Sequence, residues 1–187
     1  MPLESIVVLV LAGGRGERFR ASGGGTHKLD ALLGGVPVLQ RTLAAVRASG
    51  LACHLVRPKG GTPGMGHSIA LGVQATAQAA GWLVLPGDLP LVRPGSLRQV
   101  AQALSAHPVA VPWCGGRTGH PVGFSAECFA ALSALSGDTG AAAIVRAYRQ
   151  AGRVADVALD DEGIRLDVDT LDDLHRAEAC LRQDEGR

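Results

Sequence analysis

The chain has few aromatic residues: three Phe, two Trp and one Tyr among 187 residues, or 3%. An aromatic platform that stacks successive bases is therefore excluded, and the core has to be built from Leu, Val, Ala and Ile within a 47% hydrophobic composition. Net charge is nearly absent as well. Eighteen Lys and Arg against 17 Asp and Glu leave +1, so no global field draws the chain to nucleic acid or to an anionic membrane. Any anion has to be gripped locally. No CxxC pair occurs among Cys53, Cys114, Cys128 and Cys180. These read as small buried or half-buried thiols rather than disulfide or zinc positions. No apolar run approaches the roughly 20 residues of a membrane span. The first apolar run has no basic segment ahead of it and ends early at Arg15, unlike a signal peptide. The expectation is a cytoplasmic protein forming a single domain over 1–187, large enough to bury roughly 70% of its unfolded surface.

Short apolar runs alternate with helical periodicity along the sequence. Strands are expected at Ile6–Leu11, Cys53–Val56, Trp82–Leu85, Val109–Val111 and Val154–Leu159, with a weaker one at Pro121–Phe124. Leu39, Leu43 and Val46 share one helical face before a Gly50 stop. Further helices are expected at Ser68–Ala80, from Ser96 with Gln99 as its capping-box partner, at Ala126–Leu135 and at Ala141–Ala151. A last helix places Leu171, Leu174, Ala177 and Leu181 inward, with Thr170 and Asp173 at its start. This alternation predicts an α/β three-layer domain with a mostly parallel sheet, whose ligands sit outside the carboxyl ends of its strands.

Val7–Lys28 is the most informative stretch. A doubly buried strand runs into Leu11, Ala12, Gly13, Gly14, Arg15 and Gly16, followed by Arg18 and Lys28. The glycines permit a sharp turn and close approach of backbone N–H groups to an anion, and the basic residues add fixed positive charge. The spacing fails the dinucleotide fingerprint, because Phe19 stands where a third small residue is required. A P-loop is excluded by the absence of Gly-Lys-Ser/Thr. A triphosphate cradle and a tight turn remain.

Gly87 and Asp88, held between Pro86 and Pro90, follow the third strand. A carboxylate there suits Mg²⁺ as a hard oxygen ligand, and also suits a plain turn. Asp167 and Asp169, two apart on an extended segment, share a face. Charge near the following helix N-terminus accounts for Asp172 and Asp173 but poorly for Asp167. Gly64-Met65-Gly66-His67-Ser68 opens a helix, with Ser68 either a ligand contact or an N-cap. Gly119-His120-Pro121-Val122 and Ser136-Gly137-Asp138-Thr139-Gly140 are further glycine-rich loops.

Together, Leu11-Ala-Gly-Gly-Arg-Gly-Glu-Arg18 with Lys28, Gly87-Asp88-x-Pro90, Gly119-His-Pro121 and Asp167-Val-Asp-Thr170 resemble the MobA-like nucleotidyltransferases. The later motifs look most like the molybdenum cofactor cytidylyltransferase branch, whereas Leu11-Ala-Gly-Gly14 resembles the guanylyl branch, so CTP ranks ahead of GTP. The resemblance implies a Rossmann-like, glycosyltransferase-A-type sheet. It implies Mg²⁺-dependent transfer of a nucleoside monophosphate from an NTP to a phosphate on a small acceptor, with molybdopterin foremost. A molybdoenzyme or its maturation chaperone is the implied protein partner, with no nucleic acid and no membrane. On this resemblance Leu11, Ala12, Gly13, Gly14, Arg15, Gly16, Lys28, Ser68 and Gly87 contact the nucleotide. Arg18 and Lys28 neutralise pyrophosphate. Asp88 and Asp169, assisted by Asp167, hold the metal, and His120 and Asp138 face the acceptor.

Two departures from the family pattern stand out. The Arg18–Lys28 interval is long and contains Gly23-Gly24-Gly25. Only Arg57–Pro63 separates the second strand from Gly64-Met65, where the family fits another helix and strand. One βα unit is therefore expected to be missing, along with part of the nucleotide wall. The rival readings are a nucleotidyltransferase for a sugar phosphate or phospholactate-type acceptor, and a non-catalytic nucleotide- or cofactor-binding protein.

Overall fold

A computed structural model describes residues 3–185. In chain order the elements are β1 (Ile6–Leu11), α1 (Glu17–Ala21), β2 (Leu32–Leu33), β3 (Val36–Pro37), α2 (Val38–Ser49), β4 (Ala52–Val56), α3 (Met65–Ala75) and β5 (Gly81–Pro86). Then come α4 (Pro94–Ala103), β6 (Val109–Cys114), β7 (Arg117–Thr118), β8 (Val122–Ser125), α5 (Phe129–Ser133), α6 (Ala142–Gln150), β9 (Val154–Ala158) and α7 (Leu171–Glu185). The main sheet has the order β4-β1-β5-β8-β6-β7, with β9 also on β6. β1 runs parallel to β4 and β5, and β9 parallel to β6. β8 is antiparallel to both β5 and β6, and β7 to β6. Five strands thus share one direction, which gives the mostly parallel α/β sheet that the alternation implied.

Side-chain alternation along the strands builds two cores. Ile6, Val8 and Val10 of β1, with Leu83 and Leu85 of β5, pack beneath α2, α4 and α7. Leu9, Trp82, Val84, Val111 and Phe124 pack on the other face against Ile69 and Val73 of α3 and Leu132 of α5. β1 and β5 are almost wholly buried, as central parallel strands covered on both faces must be.

Several local expectations change. α3 begins at Met65 and ends at Ala75, so Ser68 lies inside its first turn and caps nothing; Gly64 occupies the N-cap. α4 begins at Pro94, with Arg93 at its N-cap. Ser96 is buried and donates its hydroxyl to Asp161 Oδ2 at 2.6 Å, and Gln99 has no capping role. Asp161, 2% exposed, also accepts the Arg93 N–H at 2.9 Å and the Gly163 N–H at 2.9 Å. A distant carboxylate therefore anchors the start of α4 through the amide of its N-cap residue Arg93 and the Ser96 hydroxyl. The capping box of α7 is present: Asp173 accepts from the Thr170 amide, and Thr170 Oγ1 accepts from the Asp173 amide. All four cysteines are free, and Cys53 is exposed on β4 rather than buried. No helix among the described residues is long and apolar enough to cross a membrane.

β4 lies at the sheet edge, and residues 57–64 run straight to α3 with no helix or strand between them. That loop supplies its own wall. The Thr62 amide donates to the Gly13 carbonyl at 3.2 Å, and Thr62 Oγ1 lies 2.7 Å from Ser68 Oγ. The long Arg18–Lys28 interval folds back on itself. The Gly24 amide bonds the Phe19 carbonyl at 3.0 Å, and Ser22 Oγ accepts the Leu171 amide at 3.0 Å.

Candidate active site

The site lies at the carboxyl ends of β1, β4 and β5. Leu11 is in register with both Pro86 and Val56, so the loops that follow these strands emerge side by side. The first of them is the glycine loop. The N–H groups of Gly14, Arg15 and Gly16 make no hydrogen bond within the described residues. Gly16 needs its glycine, with φ at +65°. At Gly13 the reason is proximity, since a Cβ there would lie 2.7 Å from Thr62 Oγ1 and 3.1 Å from Ser68 Oγ.

Asp88 leaves β5 next to this loop. The Val168 amide donates to the Asp88 carbonyl at 2.9 Å, and Val168 is fully buried. That bond brings the 167–169 segment to Asp88. Lys28 Nζ then sits 2.5 Å from Asp88 Oδ2 and 2.5 Å from Asp169 Oδ1. Arg18 Nη1 reaches the other Asp169 oxygen at 3.1 Å from an exposed position. Burial alone would depress the Lys28 ammonium, but Asp88 and Asp169 outweigh it and hold the lysine above its ordinary range. Burial likewise would raise Asp169, yet Lys28 and Arg18 hold its carboxyl below the usual range. Asp167 has no such counter-ion. Partial desolvation, then the neighbouring Asp88, Asp169 and Asp173, push its carboxyl up.

Two cavities meet at Lys28, Asp88 and Asp169. The first, about 570 Å³, is lined by Leu11, Ala12, Gly13, Gly14, Arg15, Gly16, Arg18, Ser68 and Asp138 among others. The second, about 970 Å³, has an apolar wall of Ile69, Val84, Val111, Trp113 and Phe124, with His120 and Asp167 near the carboxylates. His120 is half-buried. Burial lowers its pKa against a hydrogen bond to the Val84 backbone, and its Nδ1 is buried without a partner.

Two of the expected positions fall elsewhere. Gly87 lines neither cavity. Its amide donates to the Leu11 carbonyl at 2.8 Å and its carbonyl accepts from Thr42 Oγ1 at 3.0 Å, so it ties β5 to β1 behind the wall. Asp138 lies with the glycine loop in the first cavity, apart from His120 in the second. The cause is packing: α3 begins against the Ser136–Thr139 loop. A Cβ on Gly64 would fall within 2.5 Å of the Gly137 carbonyl carbon, one on Gly66 would lie 2.9 Å from the Ser136 carbonyl, and the His67 amide donates to the Gly137 carbonyl at 3.3 Å. The motifs at 64–68 and 136–140 are one structure. Sequence reasoning also passed over Thr62, which lines the first cavity, and His27, which lines neither, although both brace the glycine loop; a lone histidine or threonine carries no spacing signal.

Asp88 and Asp169 suit a hard cation. Two convergent carboxylates are present, and Asp88 Oδ1 is buried with no hydrogen-bond partner. The described residues contain no cluster of three or more His, Cys, Asp or Glu placed to hold a metal. Two protein ligands match Mg²⁺, which keeps waters and substrate phosphates in its remaining positions.

Comparisons with known proteins agree with this geometry. Residues 47–154 match the MobA-like NTP transferase domain. The molybdenum cofactor guanylyltransferase of Cupriavidus metallidurans is 28% identical over 96% of this chain and 97% of its own length. The bifunctional protein GlmU of Xanthomonas campestris pv. campestris is 31% identical over 60% of this chain, and the match spans only 29% of GlmU. Rv0371c of Mycobacterium tuberculosis superposes with a TM-score of 0.74 at 26% identity, covering 96% of this chain and 100% of that one; a structure of it in complex with manganese also matches. The chain belongs to the MobA-like NTP transferase family.

Proposed function

We propose that this enzyme transfers CMP from CTP to the phosphate of molybdopterin, releasing pyrophosphate. The observation that carries the reading is Lys28 held 2.5 Å from both Asp88 and Asp169 where a glycine-lined cavity opens into an apolar one. The triphosphate lies in the first cavity, against the free amides of Gly14, Arg15 and Gly16. The acceptor enters the second, with its phosphate directed at the junction. Its phosphate oxygen attacks the α-phosphorus, forming one P–O bond as the bond to the β-phosphate breaks. A phosphate monoester is already anionic near neutral pH, so no side chain has to remove a proton. Catalysis is then positioning and charge neutralisation. Arg18 and Lys28 stand where negative charge develops on departing pyrophosphate. Asp88 and Asp169, with Asp167 beside them, would hold Mg²⁺, which when bound supplies charge neutralisation at the α-phosphate.

GTP is the second reading. It is favoured by Leu11-Ala-Gly-Gly14 and by the relative named as a molybdenum cofactor guanylyltransferase that aligns along 96% of the chain. Pyrophosphate release with CTP and with GTP, each with molybdopterin and Mg²⁺, separates the two. Release with both acceptor-free controls silent supports the reaction. Turnover of a sugar phosphate but not molybdopterin refutes the acceptor.

A further inference from the structure

His27 lines neither cavity, yet it joins the two elements that make the nucleotide site. Its Nδ1 lies 3.2 Å from the Leu29 amide, and its Nε2 lies 2.9 Å from the Gly14 carbonyl. An amide only donates, so Nδ1 has to be unprotonated. A carbonyl only accepts, so Nε2 has to carry the proton. Both partners demand the same neutral tautomer. The His27 carbonyl accepts the amides of Asp30 and Ala31 at 2.8 and 3.1 Å, which closes the turn that presents Lys28. The ring also lies against Gly16, where a Cβ would be 3.0 Å from Cδ2.

The hydrogen bond to Gly14 has a stereochemical consequence. In a trans peptide the carbonyl and the following N–H point in opposite directions. With the Gly14 carbonyl held on His27, the Arg15 N–H faces the other way. His27 lies outside the cavity, while Gly14, Arg15 and Gly16 line it. We infer that His27 is a positioning residue: it fixes the Gly14–Arg15 peptide so that the Arg15 amide faces the triphosphate, and it locks that peptide to the turn carrying Lys28. This inference rests on the first cavity being the nucleotide site.

Two variants separate the two bonds. In His27→Asn the side-chain oxygen can still accept the Leu29 amide two residues on, as Asn does in an Asx-turn, but it is too short to reach Gly14. In His27→Gln the amide nitrogen stands as many bonds from Cβ as Nε2 does and can donate to Gly14. Titration calorimetry with CTP and Mg²⁺, and in parallel with GTP, is expected to show His27→Asn binding about tenfold more weakly, as for loss of one orienting hydrogen bond. His27→Gln should lie within about threefold of wild type on the same grounds. In the steady state KM for the nucleotide rises while KM for the acceptor and the melting temperature stay near wild type. Equal nucleotide affinity in His27→Asn and wild type overturns the inference and leaves the nucleotide site standing. So does His27→Gln binding as weakly as His27→Ala. Wild type that binds neither nucleotide overturns both.

Discussion

Replacing Lys28 with methionine removes the ammonium shared by Asp88 and Asp169 while keeping most of the apolar stem. The side chains of Lys28, Asp88 and Asp169 are 15%, 14% and 28% exposed, so water cannot fully take over the lost charge. Asp169 keeps Arg18, but that guanidinium side chain is 83% exposed and its contribution is screened. Asp88 keeps no side-chain partner, and its Oδ1 is already unsatisfied. Stranding one partner of a buried pair costs about 3–5 kcal/mol, and the residual exposure here puts the loss near the lower end, about 3 kcal/mol. For a chain of this length that is a fall in Tm of about 6–12 °C in metal-free buffer. Millimolar Mg²⁺ should restore much of the loss, because a cation again lies between the carboxylates. The same Mg²⁺ should change wild type little without nucleotide, since Lys28 already occupies both oxygens. Differential scanning calorimetry with EDTA or Mg²⁺ provides the assay. A variant as stable as wild type in EDTA, or one that Mg²⁺ leaves unchanged, refutes the reasoning.

The stability difference between wild type and Lys28→Met should also depend on pH. Lys28 is raised, so its contribution is complete below the ordinary lysine range and lost as pH climbs through its folded value; Asp169 is depressed, so its contribution is present above the ordinary carboxylate range and lost as pH falls through its folded value. Melting curves across pH should show a plateau between those limits, and a difference that grows in acid contradicts it. Asp161→Ala leaves the Arg93 and Gly163 amides and the Ser96 hydroxyl without their shared acceptor, and should cost about 2–4 kcal/mol in urea unfolding; a loss under about 1 kcal/mol would show that Asp161 does not anchor the start of α4. Gly66→Ala gains about 1 kcal/mol of helix propensity. Its Cβ meets the Thr139 and Ser136 carbonyls, which cannot swing aside as a side chain would, so Tm should fall and nucleotide affinity with it. A stabilised Gly66→Ala would show that α3 does not need its close approach to the 136–139 loop.

The main strands were legible because their burial is written as uninterrupted apolar runs: Ile6–Leu11 matches its expected bounds, and Trp82–Leu85 extends by one residue at each end. Asp88 and Asp169 could be singled out because their spacing to a strand end and a helix start is local. What the sequence hid is non-local. Ser96 looks like an N-cap with Gln99, and nothing nearby signals that Asp161, 65 residues away, takes its hydroxyl. Gly64 and Gly66 look like features of a helix start, whereas what excludes a side chain is the loop at 136–139. The β2–β3 hairpin has only two residues per strand and no alternation to read. His27 acts through a carbonyl 13 residues earlier and an amide two residues later, a pairing that appears only when the loop closes.

The most direct test of nucleotidyl transfer at the Lys28–Asp88–Asp169 junction is pyrophosphate release with each of the four NTPs, molybdopterin and Mg²⁺, run on wild type, Asp88→Asn and Asp169→Asn. Release is expected with CTP, or with GTP on the second reading. It should be abolished by EDTA and reduced at least about a hundredfold in either variant, as for loss of an electrostatic group acting on the transition state. Release by Asp88→Asn and Asp169→Asn within a few-fold of wild type, or tight NTP binding with no turnover of any acceptor, would contradict it.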